Sequence, residues 1–222
     1  MNQYKICVLF LLIITIFSID FVHAEKKDSL ELSGKIIYLD PGHGGLDPGA
    51  IYKNIEEKNI NLDICKILKT NLEEKGATVY LTRYGDYDLS VKNTINRKRS
   101  DLSRRVKIIN ESNADLYLSI HLNSDSSSTW RGIQLFYDDI NDKNKVLSQI
   151  LEKEIKKNIS LTRKSEEVKN LYMLRRINVP GLLIEAGFLS NPNDRYLLKS
   201  KSYQERLSKI ITNGITTYFY HQ

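Results

Sequence analysis

Apolar residues fall along the chain in two alternating rhythms. Short runs rich in Ile, Leu, Val and Tyr predict strands over 34–40, 77–82, 114–121, 132–137 and 181–185. Between them, apolar positions recur at helical spacing. Ile60, Ile64, Ile67, Leu68 and Leu72 form one face of a helix predicted over 56–75, with Gly76 as its stop. Further helices are predicted over 102–110, 143–157 and 203–218, and the polar stretches 84–97 and 162–170 read as surface loops. Asn123 to Ser128 ends the third strand cleanly. Strands alternating with helices in this way predict a single α/β domain with a mixed, mainly parallel sheet flanked by helices. In open sheets of that class, sites gather outside the carboxyl ends of the strands.

The first 24 residues break from the pattern. Lys5 precedes the apolar run Ile6 to Phe17, and Val22, His23 and Ala24 follow where a signal peptidase reads. The run is shorter than the roughly 20 residues a membrane-spanning helix needs. Residues 1–24 are therefore expected to be a cleaved export signal, and 25–222 one folded domain. Cys7 lies in that segment, so Cys65 has no partner for an internal disulfide and reads as core. The formal net charge is +6, and Lys5 and Asp20 cancel within the segment. Such a balance suits anionic wall polymers or a membrane surface as well as nucleic acid, so it names no partner.

The chemistry concentrates where strands are expected to end. His43 and His121 each stand at the mouth of an apolar strand, whereas His221 is penultimate. Either histidine alone fits a surface or core role; together, with carboxylates close behind the first, they point to a metal. Catalytic zinc commonly takes three protein ligands and keeps a position open for water. Two imidazoles and one carboxylate leave it enough charge to acidify that water. Asp40, Asp47, Glu56, Glu57 and Asp115 are candidates for the third ligand. Glu57 is attractive at a helix start that faces the glycine turn, but helix-end charge compensation suits Glu56 equally. Glu185 interrupts the apolar run Leu182, Leu183, Ile184, a costly place for a carboxylate unless it is paired or functional. Beside a metal it would serve as general base and then general acid.

Other chemistries lack their signatures. Glycines 42, 44 and 45 let the backbone bend closely around a site, but no phosphate-loop or dinucleotide fingerprint accompanies them. The HExxH zinc motif and the Gly-x-Ser-x-Gly nucleophile elbow are absent too.

Four blocks stand in order: Asp40 to Ala50 (DPGHGGLDPGA), Glu57 to Leu62 (EKNINL), Ser119 to Ser124 (SIHLNS) and Glu185 to Asn191 (EAGFLSN). They resemble the signatures of the zinc-dependent N-acetylmuramoyl-L-alanine amidases of the Amidase_3 family. The resemblance covers about residues 35–219. It implies a single α/β domain that cuts the amide between N-acetylmuramic acid and L-alanine in peptidoglycan. By it, His43, Glu57 and His121 would hold Zn2+, Glu185 would be the catalytic carboxylate, and Arg175 and Asn123 are candidate substrate contacts. Arg83 and Arg105 match family positions and read as structural charges.

Short and rich in Lys, Asn and Ile, the chain resembles in particular the sporulation members of that family. Those strip stem peptides from spore cortex, after which a deacetylase allows the muramic lactam to form, and some act with an accessory lipoprotein. The implied partners are glycan strands bearing stem peptides and such a lipoprotein, with no nucleic acid, and a membrane only through residues 1–24. The implied location is outside the cytoplasmic membrane, in the wall or in the forespore intermembrane space and cortex. The short span Asn123 to Arg131 leaves little room for the autoinhibitory helix that some division-associated relatives insert. Rival readings are a vegetative autolysin with the same reaction, a zinc carboxypeptidase acting on the stem peptide, and a non-catalytic wall-binding protein. The last has no need of His43, Glu57, His121 and Glu185 together.

Overall fold

A computed structural model of the protein describes residues 30–222, so the expected export segment lies outside the described residues. In chain order the elements are β1 (Ile36–Pro41), β2 (Ile51–Tyr52), β3 (Ile55–Glu56), α1 (Glu57–Glu74), β4 (Thr78–Leu81), α2 (Arg97–Asn110) and β5 (Leu116–Asn123). There follow β6 (Gln134–Tyr137), α3 (Asp142–Asn158), β7 (Glu166–Glu167), β8 (Gly181–Phe188), α4 (Pro192–Leu198) and α5 (Lys201–Tyr220). One sheet has the order β4-β1-β5-β8-β6-β7, and β2 pairs with β3 as a separate hairpin. β4, β1, β5 and β8 are parallel, β6 runs against β8, and β7 runs parallel to β6. This is the mixed, largely parallel α/β domain that the alternation predicts. Among the described residues no helix is long and apolar enough to cross a membrane.

Pleating sends successive side chains to opposite faces of the sheet. Leu116, Leu118, Ile120 and Leu122 of β5 enter the main core with Leu182, Ile184 and Ala186 of β8. Ile64, Leu68 and Leu72 of α1 cover them, along with Leu147 and Leu151 of α3 and Ile211 and Ile215 of α5. α1 and α3 both pack on α5 in this layer. Tyr117 points the other way, into a thinner cluster with Ile109 of α2, Met173, Leu174 and Ile177. Further along the same face the sequence turns polar. Ser119, His121 and Asn123 follow Tyr117 at alternate positions on β5, and Glu185 takes the matching place on β8. There the thin layer parts into a cleft.

Two strands run further than their apolar runs suggest. β5 continues to Asn123 and β8 to Phe188. His121 and Glu185 are therefore not strand ends but direct neighbours across the β5–β8 ladder. His121, Asn123 and Glu185 face the cleft while Leu122 and Ala186 stay buried in the main core on the opposite side, so the strand persists although its apolar run stops. α2 begins at Arg97 rather than near 102, because the Asn96 side chain accepts the Arg99 amide and caps a first turn with no apolar face. Pro192–Leu198 is a helix that has no periodic apolar pattern. Asn191 caps it, and Pro192 sits at its first turn. β2, β3 and β7 are two-residue pairings, too short to leave a sequence signal. No helix lies between Asn123 and Arg131, so the cleft mouth beside β5 carries no plug in that span.

Candidate metal centre

The β1–β2 connection makes a tight turn in which Gly44 and Asp47 exchange backbone hydrogen bonds at 2.9 and 3.1 Å. His43 sits at its entrance with φ of 62°, a left-handed conformation uncommon outside glycine that needs constraint to persist. Two buried arginines supply that constraint. Arg105 of α2 donates to the carbonyls of Pro41 (2.8 Å) and His43 (2.6 Å) and pairs with Asp40 at 2.7 Å and Asp101 at 2.8 Å. Arg83, just beyond β4, donates to the carbonyls of Pro41 (3.0 Å), Gly42 (2.9 Å) and Lys58 (2.7 Å). Asp40 is fully buried. Burial opposes its charge, but Arg105 and the hydroxyls of Thr82 and Ser119 outweigh that and hold its carboxyl below the usual range.

Glu57, the first residue of α1, reaches back beneath this turn. One of its oxygens lies 3.1 Å from His43 Nε2 and 3.1 Å from His121 Nδ1, and accepts the Leu122 amide at 2.9 Å. The other accepts the Ala50 amide at 2.8 Å. Asn61, one turn along α1, donates to Glu57 and to the Gly42 carbonyl. The two imidazoles meet edge-on with centroids 4.9 Å apart, and potential ligand atoms of His43, Glu57 and His121 all lie within 4.8 Å of one another. His43 Nδ1 donates to Asp47 at 2.9 Å, which leaves Nε2 facing the cluster. Two glycines make room for these side chains. A Cβ on Gly42 would stand 2.2 Å from the His121 ring, and one on Gly49 would stand 2.5 Å from the Glu57 carboxylate.

The electrostatics of the cluster call for positive charge at its centre. Burial works against protonation of His43, yet its hydrogen bonds to Asp47 and Glu57 push its pKa up to about 9. Burial likewise opposes ionisation of Glu57, and hydrogen bonds to His121 and His43 overcome it, holding that carboxyl far below the usual range. Asp47 is held down to about 2, chiefly by its hydrogen bond to His43, with Lys98 adding a smaller share. A divalent cation meets the same demand with two charges, and a His/His/Glu donor set suits it. Glu185 differs from these groups. Burial pushes its pKa up to about 7, the charge of Glu57 adds to the rise, and one of its oxygens is buried with no hydrogen-bond partner.

Of the five carboxylates that the sequence left open as a third ligand, the fold brings Glu57 to both histidines. Glu56 turns outward to Lys58 and Asn59, Asp115 accepts the Ile36 amide, Asp40 belongs to Arg105, and Asp47 orients His43. The cleft has a volume of about 460 Å³, and His43, His121, Asn123 and Glu185 line it together. Phe136, Leu171, Met173 and Leu183 give it an apolar wall. Arg175 is not among the lining residues. It bridges Asp138 and Asp139 at 2.7 Å each, beyond the end of β6. The orienting parts played by Asp47 and Asn61 were not read from the sequence, although each lies four residues from a member of the cluster.

The sequence model of the Amidase_3 family, N-acetylmuramoyl-L-alanine amidases, matches residues 37–217. The chain belongs to this family. Within the family it is 41% identical to the germination-specific N-acetylmuramoyl-L-alanine amidase of Bacillus subtilis, over 95% of this chain and 91% of that protein. It is 34% identical to the probable cell wall amidase LytH of Staphylococcus aureus, over 91% of this chain and 64% of LytH. Among solved structures, it resembles the CwlD amidase from Clostridioides difficile in complex with the GerS lipoprotein. That match has 38% identity and a TM-score of 0.81, covering 85% of this chain and 100% of CwlD. An N-acetylmuramoyl-L-alanine amidase from Clostridium difficile 630 follows at 32% identity and a TM-score of 0.74, covering 83% of this chain and 96% of that one.

Proposed function

We propose that this amidase hydrolyses the bond between the lactyl group of N-acetylmuramic acid and L-alanine at a zinc centre held by His43, Glu57 and His121. The observation that carries the reading is the cluster itself. The two histidines of a His/His/Glu set within 4.8 Å line one cleft with a buried carboxylate that has a free oxygen. Zinc bound there supplies a Lewis acid that polarises the scissile carbonyl and lowers the pKa of water. Glu185 takes the proton from the attacking water on its unpartnered oxygen and returns it to the leaving nitrogen of L-alanine. A pKa raised to about 7 suits both halves of that transfer. Asp47 fixes the His43 tautomer, and Asn61 with the Leu122 amide fixes Glu57. Asn123, at the cleft wall, contacts the substrate, whereas Arg175 holds the end of β6.

Similarity to the germination-specific enzyme supports spore cortex as the substrate wall. Similarity to CwlD, whose structure contains GerS, supports an accessory lipoprotein partner. Residues 1–24 direct export, which places the enzyme outside the cytoplasmic membrane. The test is mass spectrometry of purified peptidoglycan incubated with the zinc-loaded protein. The expected products are free peptides beginning with L-alanine and glycan with peptide-free muramic acid. Loss of only a terminal amino acid would make the protein a carboxypeptidase, and an unchanged wall would point to a missing partner or to the non-catalytic reading.

A further inference from the structure

The cleft presents an electrostatic problem to its substrate. Asp47 lines it, and a stem-peptide carboxylate entering beside it meets like charge. Two Lys or Arg side chains line the same cleft, Arg105 and Lys98. Arg105 is buried and fully engaged by Asp40, Asp101 and the carbonyls of Pro41 and His43. Lys98 is exposed in the first turn of α2 and, among the described residues, has neither an ion pair nor a hydrogen bond from its ammonium.

Its neighbours are all tied back. Arg97 pairs with Asp88, and Arg99 lies over the Tyr172 ring at 4.4 Å. The Tyr172 hydroxyl meets Ser103 at 2.8 Å, which fastens α2 to the segment that forms the opposite wall of the cleft. α2 is thus anchored on either side of Lys98, and Lys98 is left facing the cleft on the side where Asp47 stands. Arg175, the other basic candidate for a substrate contact, does not line this cleft and pairs through Nη1 with Asp138 and Asp139.

We infer that Lys98 is a specificity-determining residue whose ammonium pairs with a free carboxylate of the stem peptide, selecting acidic stem peptides over those in which this carboxylate is amidated. This rests on the amidase reading. The test takes the carboxylate nearest the scissile bond, the α-carboxylate of the residue after L-alanine, in its free and amidated forms. Asn170 and Asn123 also line the cleft and offer neutral hydrogen bonds to either form, so the discrimination falls to Lys98.

The experiment compares two glycan-linked stem peptides that differ only in that group, carboxylate or amide. Calorimetric binding is measured with zinc-loaded Glu185→Gln protein, and kcat and KM with the wild type. The expected result is roughly fivefold to tenfold tighter binding of the carboxylate form, the size of one partly solvated charge-assisted contact. The preference should appear in KM rather than kcat and should weaken with added salt. Lys98→Met in either background should erase it, and Lys98→Arg should keep most of it. Equal affinity for the two forms, no measurable binding of the carboxylate form, or a preference that survives Lys98→Met would overturn the proposal. Failure of the amidase reading looks different: the carboxylate preference in binding would remain, but the wild type would release no peptide beginning with L-alanine.

Discussion

Glu185 shows how much a single residue can set at this site. Its neighbours across the sheet are His121 and Gln134, and no side chain or backbone amide donates to its buried oxygen. Burial raises its pKa from an ordinary 4.5 to about 7, so the fold favours the neutral carboxyl. In metal-free protein its contribution to stability is therefore full below about pH 4.5 and is lost as pH rises through about 7. Glu185→Gln cannot ionise and escapes that loss. Urea unfolding in chelator should find the variant more stable than wild type at about pH 8, by on the order of 2–3 kcal/mol, and equal to it near pH 4.5. A constant difference at both pH values would contradict the assigned pKa. His43, His121 and Glu185 stand out in the sequence because each interrupts or ends an apolar run. Lys98 does not, because a lysine on a predicted surface reads as a solvated cation. The pairing of Arg175 is hidden in the sequence for another reason. Its carboxylate partners lie 36 and 37 residues away in sequence, and only the fold brings them to it.

Among the elements, β1, β4 and α2 converge on one turn. The arginines following β4 and within α2 hold the carbonyls of residues 41–43, and the second of them closes a buried network with Asp40 and Asp101. Removing one partner of such a network leaves the other charges buried and unpaired. Arg105→Met should cost about 3–5 kcal/mol of unfolding free energy. Addition of Asp40→Asn should then cost much less than it does alone, as urea denaturation of the double-mutant cycle would show. Additive costs would mean that the two residues act separately. The long elements were legible because their apolar positions repeat over several turns or a full strand. α4 was not, since seven residues with a polar cap and one deeply buried leucine carry no period. The ends of β5 and β8 were misread because residues facing a cleft are polar while the strand itself continues.

Across the whole molecule, the two faces of the sheet divide the work. One carries a continuous aliphatic core beneath α1, α3 and α5; the other is thinly covered and opens into the cleft at the carboxyl ends of β1, β5 and β8. The candidate metal ligands come from the β1–β2 turn, the start of α1 and β5, and the carboxylate proposed to carry the proton from β8. Each sits on an element anchored in the main core, so the centre is preorganised and the fold does not depend on Glu185. Family resemblance could name these residues from four short blocks. It could not say that Asp47 and Asn61 orient them, that two arginines shape the turn, or that a lysine stands free at the cleft wall.

The central claim is that His43, Glu57 and His121 hold the metal while Glu185 moves the proton. It is tested most directly by measuring the release rate of peptides beginning with L-alanine for wild type and Glu185→Gln at matched zinc content. Zinc should remain at one ion per chain in the variant while the rate falls by roughly 10²–10⁴-fold, the usual contribution of a positioned acid–base group. A Glu185→Gln protein that keeps its zinc and its rate would contradict the account.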